Sequence, residues 1–389
     1  MTFRGVDFLS LDDELTEEER MIRNEIRAWV SKEVIPEMAR HFEAGTFPLH
    51  LISQMGSLNL LGASLDPRYR GAGLNSVASG LISQELERGD SGLRSFVSVQ
   101  SNLVMWPIAE YGSETQKERW LPKMAQGKAI GCFGLTEPDF GSNPEGLVTR
   151  ARRDHSTFIL NGTKMWITNG SIADLALIWA RDDQEVIRGF LIEKGTPGFH
   201  QNKITGKFSL RASDTAELIL EDVRVPEANA LPGAIGLKTA LRCLNQARYG
   251  IAWGAIGASM ACYETALNFA KTRVQFARPI AGYQLVQQKL VDMLTEITKI
   301  QLFSLKMGRL KEQKKLNHFQ ISMGKRNNVF HALQIARTAR DILGANGIMY
   351  EHQIARHLCN LEAVYTYEGT HDIHTLIIGE EITGLSAFS

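Results

Sequence analysis

The spacing of apolar residues changes twice along this sequence, and this change constrains the fold more than any other feature. In residues 1–128, apolar side chains such as Ile22 and Ile26 recur at the period of an amphipathic helix. In residues 129–234 they alternate with polar residues or form short β-branched runs, which is typical of strands. The helical period returns in residues 235–389. The sequence therefore predicts a mostly α fold in three domains, with a central antiparallel β domain between an N-terminal helical domain and a C-terminal helical bundle.

Short local signals predict where individual elements begin, turn and end. Thr16 opens a capping box at the start of the first predicted helix. Pro36 is expected to end that helix, and Gly344 is expected to cap a long helix near the C-terminus. The pair Asn161-Gly162 predicts a two-residue turn between two strands, because both residue types tolerate positive φ.

The composition excludes several classes of function. The chain has 389 residues, of which 44% are hydrophobic and 22% charged, as in ordinary globular proteins. Basic and acidic residues both number 43, and this balance argues against a nucleic-acid partner or an anionic membrane surface. The four cysteines are far apart and lack metal-ligand or redox spacing, so we expect free thiols and no metal site.

The N-terminus and the hydropathy pattern indicate the cellular compartment that we expect for the protein. The sequence becomes acidic at Asp7 and shows no apolar signal core before it. The longest weakly polar run, at residues 250–262, is too short and too rich in Gly and Ala to span a bilayer. We therefore expect no membrane insertion and a cytoplasmic protein, or a mitochondrial matrix protein if the sequence is a processed form.

A single carboxylate in residues 364–374 is a candidate general base. Glu368 follows Tyr367, and a carboxylate beside aromatic rings loses solvation, which raises its pKa toward the range of a useful base. Gly369 allows a ligand to approach the backbone closely, and Thr370 offers a hydroxyl to a polar cofactor. Taken alone, the carboxylate of such a stretch is more often a solvated surface group.

Two segments of the β region have the composition of a binding wall for a flat cofactor. Residues 131–142 combine glycines such as Gly134 with the hydroxyls of Thr136 and Ser142. Residues 165–169 alternate an aromatic side chain with a hydroxyl. An ordinary strand and turn, with the tryptophan in the core, is the alternative that composition alone favours.

Five motifs in a fixed order resemble those of the acyl-CoA dehydrogenases, a family of FAD flavoenzymes. The resemblance covers essentially the whole chain and includes the helical, β and helical order of domains. It implies that the C-terminal domain is a four-helix bundle and that Glu368 is the catalytic base. The motifs occupy residues 135–138 with 141–142, 166–169, 273–276, 343–347 and 367–370.

Further stretches resemble the members of this family that act on a dicarboxylic substrate, glutaryl-CoA. They occupy residues 90–95, 98–101, 207–213, 243–254 and 366–374. The sequence departs from the usual pattern at Ala345, where a second Gly is common, at Asn143, where an Asp is usual, and at residues 139–140. The first departure bears on how the FAD diphosphate is held, and none of them removes a reacting group.

The resemblance implies a set of FAD-binding residues. The flavin ring is expected against residues of the β domain, and the adenine and diphosphate end against residues contributed largely by a neighbouring subunit. Thr370 and Phe388 are expected to complete the site. The flavin set is Phe133, Leu135, Thr136, Ser142, Trp166, Ile167 and Thr168, and the second set is Arg273, Phe276, Gln284, Gly344 and Gly347.

The resemblance also implies a set of substrate-binding residues. Arg94 is expected to bind the distal carboxylate, since a planar guanidinium can pair with it through two bonds, whereas a plain fatty acyl chain requires an apolar pocket. By itself Arg94 is more often a helix-surface residue, and Glu87 its surface partner. The remaining residues of this set are Ser95, Ser142, Asn245, Arg248, Tyr367 and Gly369.

The activity implied by the resemblance is FAD-dependent α,β-dehydrogenation of glutaryl-CoA with decarboxylation to crotonyl-CoA and CO2. Electrons are expected to pass to electron-transfer flavoprotein, and the protein to be a homotetramer. Three alternatives stay open: a short-chain acyl-CoA dehydrogenase without decarboxylation, an acyl-CoA oxidase that uses oxygen, and a non-catalytic helical scaffold or acyl-CoA-binding protein. A colourless purified protein would favour the last of these.

Overall fold

The N-terminal part of the chain is helical, as the apolar period predicts. The computed structural model describes residues 5–388. The capping box at Thr16 is confirmed, since its side chain accepts a hydrogen bond from the N–H of Glu19 and the Glu19 side chain accepts one from Thr16. The helices are α1 (Glu17–Trp29), α2 (Ile35–Ala44), α3 (Leu51–Ser57), α4 (Ser76–Gly89), α5 (Ser91–Ser98), α6 (Trp106–Tyr111) and α7 (Glu114–Ala125).

The first helix does not end at Pro36, so that prediction is wrong. A π-helical segment, Val30–Val34, continues α1 directly into α2. Pro36 occupies the first turn of α2, where a missing N–H is tolerated because the wider π segment precedes it. The second helix then ends at Gly45, which adopts a left-handed conformation with φ 66°.

The middle part of the chain forms one sheet of eight strands. Most neighbours are antiparallel, while β4 runs parallel to both β1 and β2. Seven strands follow the spatial order β6-β7-β3-β2-β4-β5-β8, and β1 pairs with β4. The strands are β1 (Gly131–Gly134), β2 (Arg150–Asp154), β3 (Thr157–Thr168), β4 (Leu175–Asp182), β5 (Ile187–Glu193), β6 (Phe199–Lys203), β7 (Thr215–Pro226) and β8 (Ala230–Ile235).

Asn161-Gly162 lies inside β3 and not in a turn, so the predicted hairpin is wrong at this place. The register of β3 against β7 shifts here, and Asn161 Oδ1 accepts a hydrogen bond of 2.8 Å from the N–H of Asp222 on β7. At this register shift β3 forms a bulge that contains Asn161 and Gly162. A bulge accommodates the backbone conformations that these two residue types favour, as a turn would. The two-residue turn is His155-Ser156, between β2 and β3.

The C-terminal part is helical again, and the predicted order of helical, β and helical regions is confirmed. Four helices pack around a common core, and a fifth, short helix lies on α10. Gly344 follows the last residue of α10, as predicted. The helices are α8 (Leu237–Thr272), α9 (Gln284–Glu312), α10 (His318–Leu343), α11 (Ile354–Thr366) and α12 (His371–Thr383), with a small ribbon of β9 (Val274–Gln275) and β10 (Arg278–Pro279) between α8 and α9.

Glycines bring α4 of the N-terminal region against α8 of the bundle. A Cβ on Gly80 would lie 2.4 Å from a ring carbon of Trp253, and one on Gly257 would lie 1.8 Å from the backbone oxygen of Gln84. Val77 and Leu81 of α4 accordingly belong to the same apolar core as α8, α9 and α10. The N-terminal helices and the bundle are therefore joined by a close helix crossing.

Among the described residues, no helix combines the length and the apolar content that crossing a lipid bilayer requires.

The close crossing predicts the effect of adding a single methyl group. Gly257→Ala should lower the free energy of unfolding by about 2 kcal/mol or more, because the new Cβ overlaps the backbone of α4 and not a movable side chain. The matched control is Gly379→Ala in α12, where a Cβ meets nothing within 4 Å. The control should be neutral or gain up to about 1 kcal/mol in helix propensity. Urea unfolding of both variants measures the difference, and equal midpoints would contradict the close crossing.

Candidate active site

The candidate base lies in a tight turn between α11 and α12. Glu368 has φ 52° and Gly369 has φ 94°, so two successive residues adopt left-handed backbone. A Cβ on Gly369 would lie 2.9 Å from Nε2 of His374, so glycine is required there for space as well as for conformation. Thr370 ends the turn, because its Oγ1 accepts a 3.1 Å hydrogen bond from the N–H of Ile373 and caps α12.

Cationic side chains from two other helices bind the backbone of this turn. Arg248 of α8 donates from Nε to the carbonyl oxygen of Glu368 over 2.8 Å. Lys325 of α10 donates from Nζ to the carbonyl oxygens of Tyr367 and Gly369. Asn245 completes the group, since its Oδ1 accepts a 3.2 Å hydrogen bond from Arg248.

The carboxyl group of Glu368 has the electrostatics of a general base. Burial raises its pKa above the ordinary value, and the positive charges of Arg94, Lys325 and Arg248 oppose this shift without cancelling it. One oxygen, Oε2, is buried and has no hydrogen-bond partner among the described residues. A carboxylate with a raised pKa and an uncommitted oxygen is suited to accept a proton from a bound ligand.

Arg94 is buried, so the alternative of a helix-surface arginine is wrong. Its Nε donates to Oε2 of Glu87 over 2.6 Å, and the side chains of both residues are no more than 1% exposed. Its Nη2 donates to the hydroxyl of Tyr367, the residue that precedes the candidate base. Ser95 Oγ lies 3.3 Å from the same hydroxyl. The sequence-predicted residues Glu87, Arg94, Ser95 and Tyr367 are thus one connected network.

The charges of this network follow from its burial. Burial alone would lower the pKa of Arg94, but the adjacent Glu87 outweighs it and the pKa is raised, so the guanidinium stays charged. Burial raises the pKa of Tyr367 to about 12 against the opposing effect of Arg94, so its phenol stays neutral. Oε1 of Glu87 is buried without a partner among the described residues. The network therefore offers charged and neutral donors next to Glu368.

The two candidate cofactor segments of the β domain lie side by side. The N–H of Met165 donates to the carbonyl of Thr136 over 2.9 Å, which joins the segment after β1 to the end of β3. Trp166 has left-handed backbone, with φ 63°, and its side chain is 61% exposed. Left-handed backbone at a tryptophan is strained, and such strain clusters at ligand-binding positions, so Trp166 is a candidate cofactor contact.

The other members of the predicted flavin set differ in exposure. Thr136 and Thr168 are half-buried and Ser142 is exposed. Phe133, Leu135 and Ile167 pack into apolar cores, so they present mainly backbone to any ligand. Glu137, in the same motif, forms a buried ion pair of 2.7 Å with Lys164 and holds the loop after β1 by accepting from the N–H of Thr149.

The second predicted cofactor set lies elsewhere on the chain. Arg273, Phe276 and Gln284 surround the small ribbon after α8 and are exposed, Phe276 by 93%. Along α8, the distance from Arg248 to the end of the helix at Thr272 is roughly 36 Å. The structure therefore does not bring this set to the turn at Glu368 within one chain. Gly344 and Gly347 follow α10, and Phe388, 55% exposed, follows α12.

Two buried residues of the site were missed by the sequence reasoning. Lys325 is 1% exposed, and burial lowers its pKa below the ordinary value of a lysine, while the nearby Glu368 opposes this shift. Lys325 lies midway between Ile321 and Val329 at helical spacing. This spacing predicts that all three lie on the buried face of α10. His374 is fully buried and neither ring nitrogen has a partner among the described residues, while burial lowers its pKa to about 2.

Comparison with known proteins shows the family. Sequence models of the acyl-CoA dehydrogenases match the chain in three parts. The N-terminal domain matches residues 16–128, the middle domain 132–223 and the C-terminal domain 235–383.

Individual proteins agree with this result. A crystal structure of glutaryl-CoA dehydrogenase from Mycobacterium smegmatis is 53% identical, with a TM-score of 0.97 over 100% of both chains. A second glutaryl-CoA dehydrogenase structure from this organism, in complex with FADH2, is 49% identical, with a TM-score of 0.98 over 100% of both chains. Mitochondrial short-chain specific acyl-CoA dehydrogenase of Sus scrofa is 35% identical over 373 residues, which are 94% of this chain and 90% of that protein. The chain therefore belongs to the acyl-CoA dehydrogenase family.

Proposed function

We propose that this protein is an FAD-dependent glutaryl-CoA dehydrogenase that converts glutaryl-CoA to crotonyl-CoA and CO2. The observation that carries the proposal is the buried Arg94, paired with Glu87 and Tyr367 beside the candidate base Glu368. The similarity to two M. smegmatis glutaryl-CoA dehydrogenases over the whole chain supports it. We further propose electron-transfer flavoprotein as the electron acceptor and a cytoplasmic location, or the mitochondrial matrix for a processed form.

A buried guanidinium favours a substrate with a second carboxylate. Burying a charge is costly unless it is paired, and an apolar acyl chain would leave Arg94 with no ligand to bind. Arg94 uses Nε for Glu87 and Nη2 for Tyr367. A guanidinium carries five N–H donors, so donors remain for a carboxylate at the far end of the acyl chain. Glutaryl-CoA places such a carboxylate one methylene beyond the carbon that loses hydride.

Glu368 acts first, as the catalytic base. Its carboxylate takes the α-proton of the thioester, and we assign to its backbone N–H a hydrogen bond to the thioester carbonyl, which gains negative charge. FAD, when bound, would supply the acceptor for the β-hydride in the same oxidation. Asn245, Arg248 and Ser142 hold the acyl-CoA so that its α-carbon lies against Glu368.

Decarboxylation follows from the position of the second carboxylate. Loss of CO2 breaks the bond between the γ-carbon and the carboxylate carbon, and the electron pair delocalises into the thioester. The protonated Glu368 then returns a proton to the γ-carbon, which yields crotonyl-CoA. Arg94 stabilises the carboxylate and so opposes its loss, but Glu87, at 2.6 Å from Nε, shares the positive charge and weakens this hold.

The residues present fit FAD. Exposed Trp166 and the hydroxyls of Thr136 and Thr168 would hold the flavin ring, and Thr370 would contact it near the base. Arg273 and Phe276, separated from Arg248 by roughly 36 Å along α8, would hold the adenine and diphosphate end of an FAD bound mainly to a neighbouring subunit. This separation supports a homo-oligomer, and we propose a homotetramer.

A short-chain acyl-CoA dehydrogenase without decarboxylation is the second candidate. The 35% identity to the Sus scrofa enzyme over nearly the whole chain favours it. The buried pair of Arg94 and Glu87 argues against it, because a straight acyl chain makes no use of either charge. An acyl-CoA oxidase is distinguished by reoxidation with oxygen, and a non-catalytic relative by the lack of any flavin reduction.

The base assignment predicts that Glu368→Gln leaves a folded yellow protein that no acyl-CoA reduces. The amide keeps the shape of the side chain but cannot take a proton, so the rate of flavin reduction should fall at least about 100-fold. Glu362→Gln is the control, since Glu362 lies on the adjacent helix α11 and pairs with the exposed Arg337. A Glu368→Gln rate within about 10-fold of the parent would contradict the assignment.

The substrate assignment predicts a change in selectivity for Arg94→Gln. Loss of a charge-assisted pair should lower kcat/KM for glutaryl-CoA about 10- to 100-fold more than for butyryl-CoA. Arg356→Gln is the comparison, because Arg356 is equally buried and pairs with Asp90 instead of with Glu87 and Tyr367. The control should affect both substrates alike, and equal losses in Arg94→Gln would mean that Arg94 only supports the fold.

Product analysis tests the decarboxylation itself. After anaerobic reaction with glutaryl-CoA and an artificial electron acceptor, we expect crotonyl-CoA and CO2 in equal amounts. Accumulation of glutaconyl-CoA as the end product would show that the oxidation is not followed by loss of CO2. Reduction by butyryl-CoA alone would favour the short-chain alternative.

A further inference from the structure

We infer that Lys325 is a positioning residue that holds the turn carrying Glu368 and sets the pH at which this carboxylate becomes a base. The inference rests on the proposed function, since it concerns the same turn. Lys325 has no role in the chemistry described above, and yet it is a fully buried cation in contact with both neighbours of the base.

The geometry of the turn supplies the first argument. Three successive carbonyl oxygens, those of Tyr367, Glu368 and Gly369, each accept a hydrogen bond from a cationic side chain. Lys325 binds the first and third, and Arg248 binds the second. Lys325 thus holds the carbonyls on both sides of Glu368 while Arg248 holds that of Glu368 itself, so the turn is fixed from two helices.

The conformation of Glu368 supplies the second argument. A residue other than glycine with φ 52° is unfavourable in isolation and persists only when its surroundings impose it. Lys325 extends from α10 and Arg248 from α8, so two helices of the bundle impose this conformation together. The uncommitted Oε2 of Glu368 is held in place by its backbone and not by a partner of its own.

The charge of Lys325 supplies the third argument. Its ammonium lies close enough to Glu368 to lower the pKa of that carboxyl against the raising effect of burial. Glu368 is a base only when ionised, so its rate rises with pH through its pKa. Removing the charge of Lys325 should therefore raise the pKa of Glu368 and move the acid limb of the rate profile to higher pH. The other charged or titratable groups that act on this pair are Arg94, Arg248, Tyr367, His371 and His374.

The test compares two substitutions of Lys325 with a matched lysine elsewhere. Lys325→Gln keeps a donor but no charge, and Lys325→Arg keeps the charge. Lys207 is the control because its Nζ also binds two carbonyls of a turn, those of Leu210 and Ser213 at 2.9 and 2.8 Å. Leu210 has left-handed backbone as well, with φ 48°. Lys207→Gln thus removes a similar clamp far along the chain from the base.

Two rates are measured against pH for the holoenzyme: flavin reduction by glutaryl-CoA, and exchange of the α-protons of butyryl-CoA with D2O. The exchange reports the base without net oxidation. In Lys325→Gln the acid limb of both profiles should move upward by on the order of one pH unit. In Lys325→Arg and Lys207→Gln it should stay at the parent position.

Each result decides the matter. If the acid limb of Lys325→Gln stays at the parent pH, the inference is overturned, whether or not the maximal rate is lower. Lys325 would then be a structural residue. If Lys325→Gln does not fold, Lys325→Met takes its place, because its unbranched side chain is of similar length and carries no charge; an upward shift of the limb in that variant supports the inference, and an unmoved limb overturns it. A parent enzyme that shows neither exchange nor reduction would instead refute the proposed function.

Discussion

The contact between α4 and α8 is the interaction on which the site depends. Glu87 lies on α4, and a Cβ on Gly254 of α8 would lie 1.9 Å from its Oε2. Only a glycine at this position leaves space for the carboxylate that pairs with Arg94. The same crossing joins the N-terminal core to the bundle, so the packing that stabilises the fold also places the Arg94 network beside the turn of Glu368.

Buried ion pairs recur where separate segments of the chain meet. Arg94 and Glu87 link α5 to α4, Arg356 and Asp90 link α11 to the start of α5, and Lys164 and Glu137 link β3 to the loop after β1. Such pairs add little net stability, because the loss of hydration offsets most of their attraction. Their value is geometric, since a buried charge tolerates only the arrangement that keeps its partner in place.

The sequence predicts most helices and strands of this fold, but not the places where a helix or strand continues through a residue that usually ends it. Helix caps such as Thr16 depend on a few adjacent residues, so they can be read locally. Pro36 and Asn161-Gly162 are predicted wrongly because a π segment and a cross-strand contact, neither visible locally, satisfy their preferences in another way. Glu368 and Arg94 are found through motif resemblance, but the contact of Arg94 with Tyr367 and those of Lys325 with the turn of Glu368 join residues far apart in sequence. Lysine is normally solvated, so residue type alone does not predict that Lys325 is buried. Only its helical spacing from Ile321 and Val329 indicates this.

The length of α8 has a consequence for how the protein keeps its cofactor. In the proposed FAD site, Arg273 and Phe276 follow the C-terminal end of α8, roughly 36 Å along that helix from Arg248, which binds the turn of Glu368. We propose that a complete binding site forms where two copies of the chain meet. Assembly and cofactor retention would then be linked equilibria: dilution that separates the subunits would release the dinucleotide, and loss of the dinucleotide would weaken the contact between subunits. The holoprotein would be the form that resists dissociation, and its concentration would govern how much of it carries the flavin.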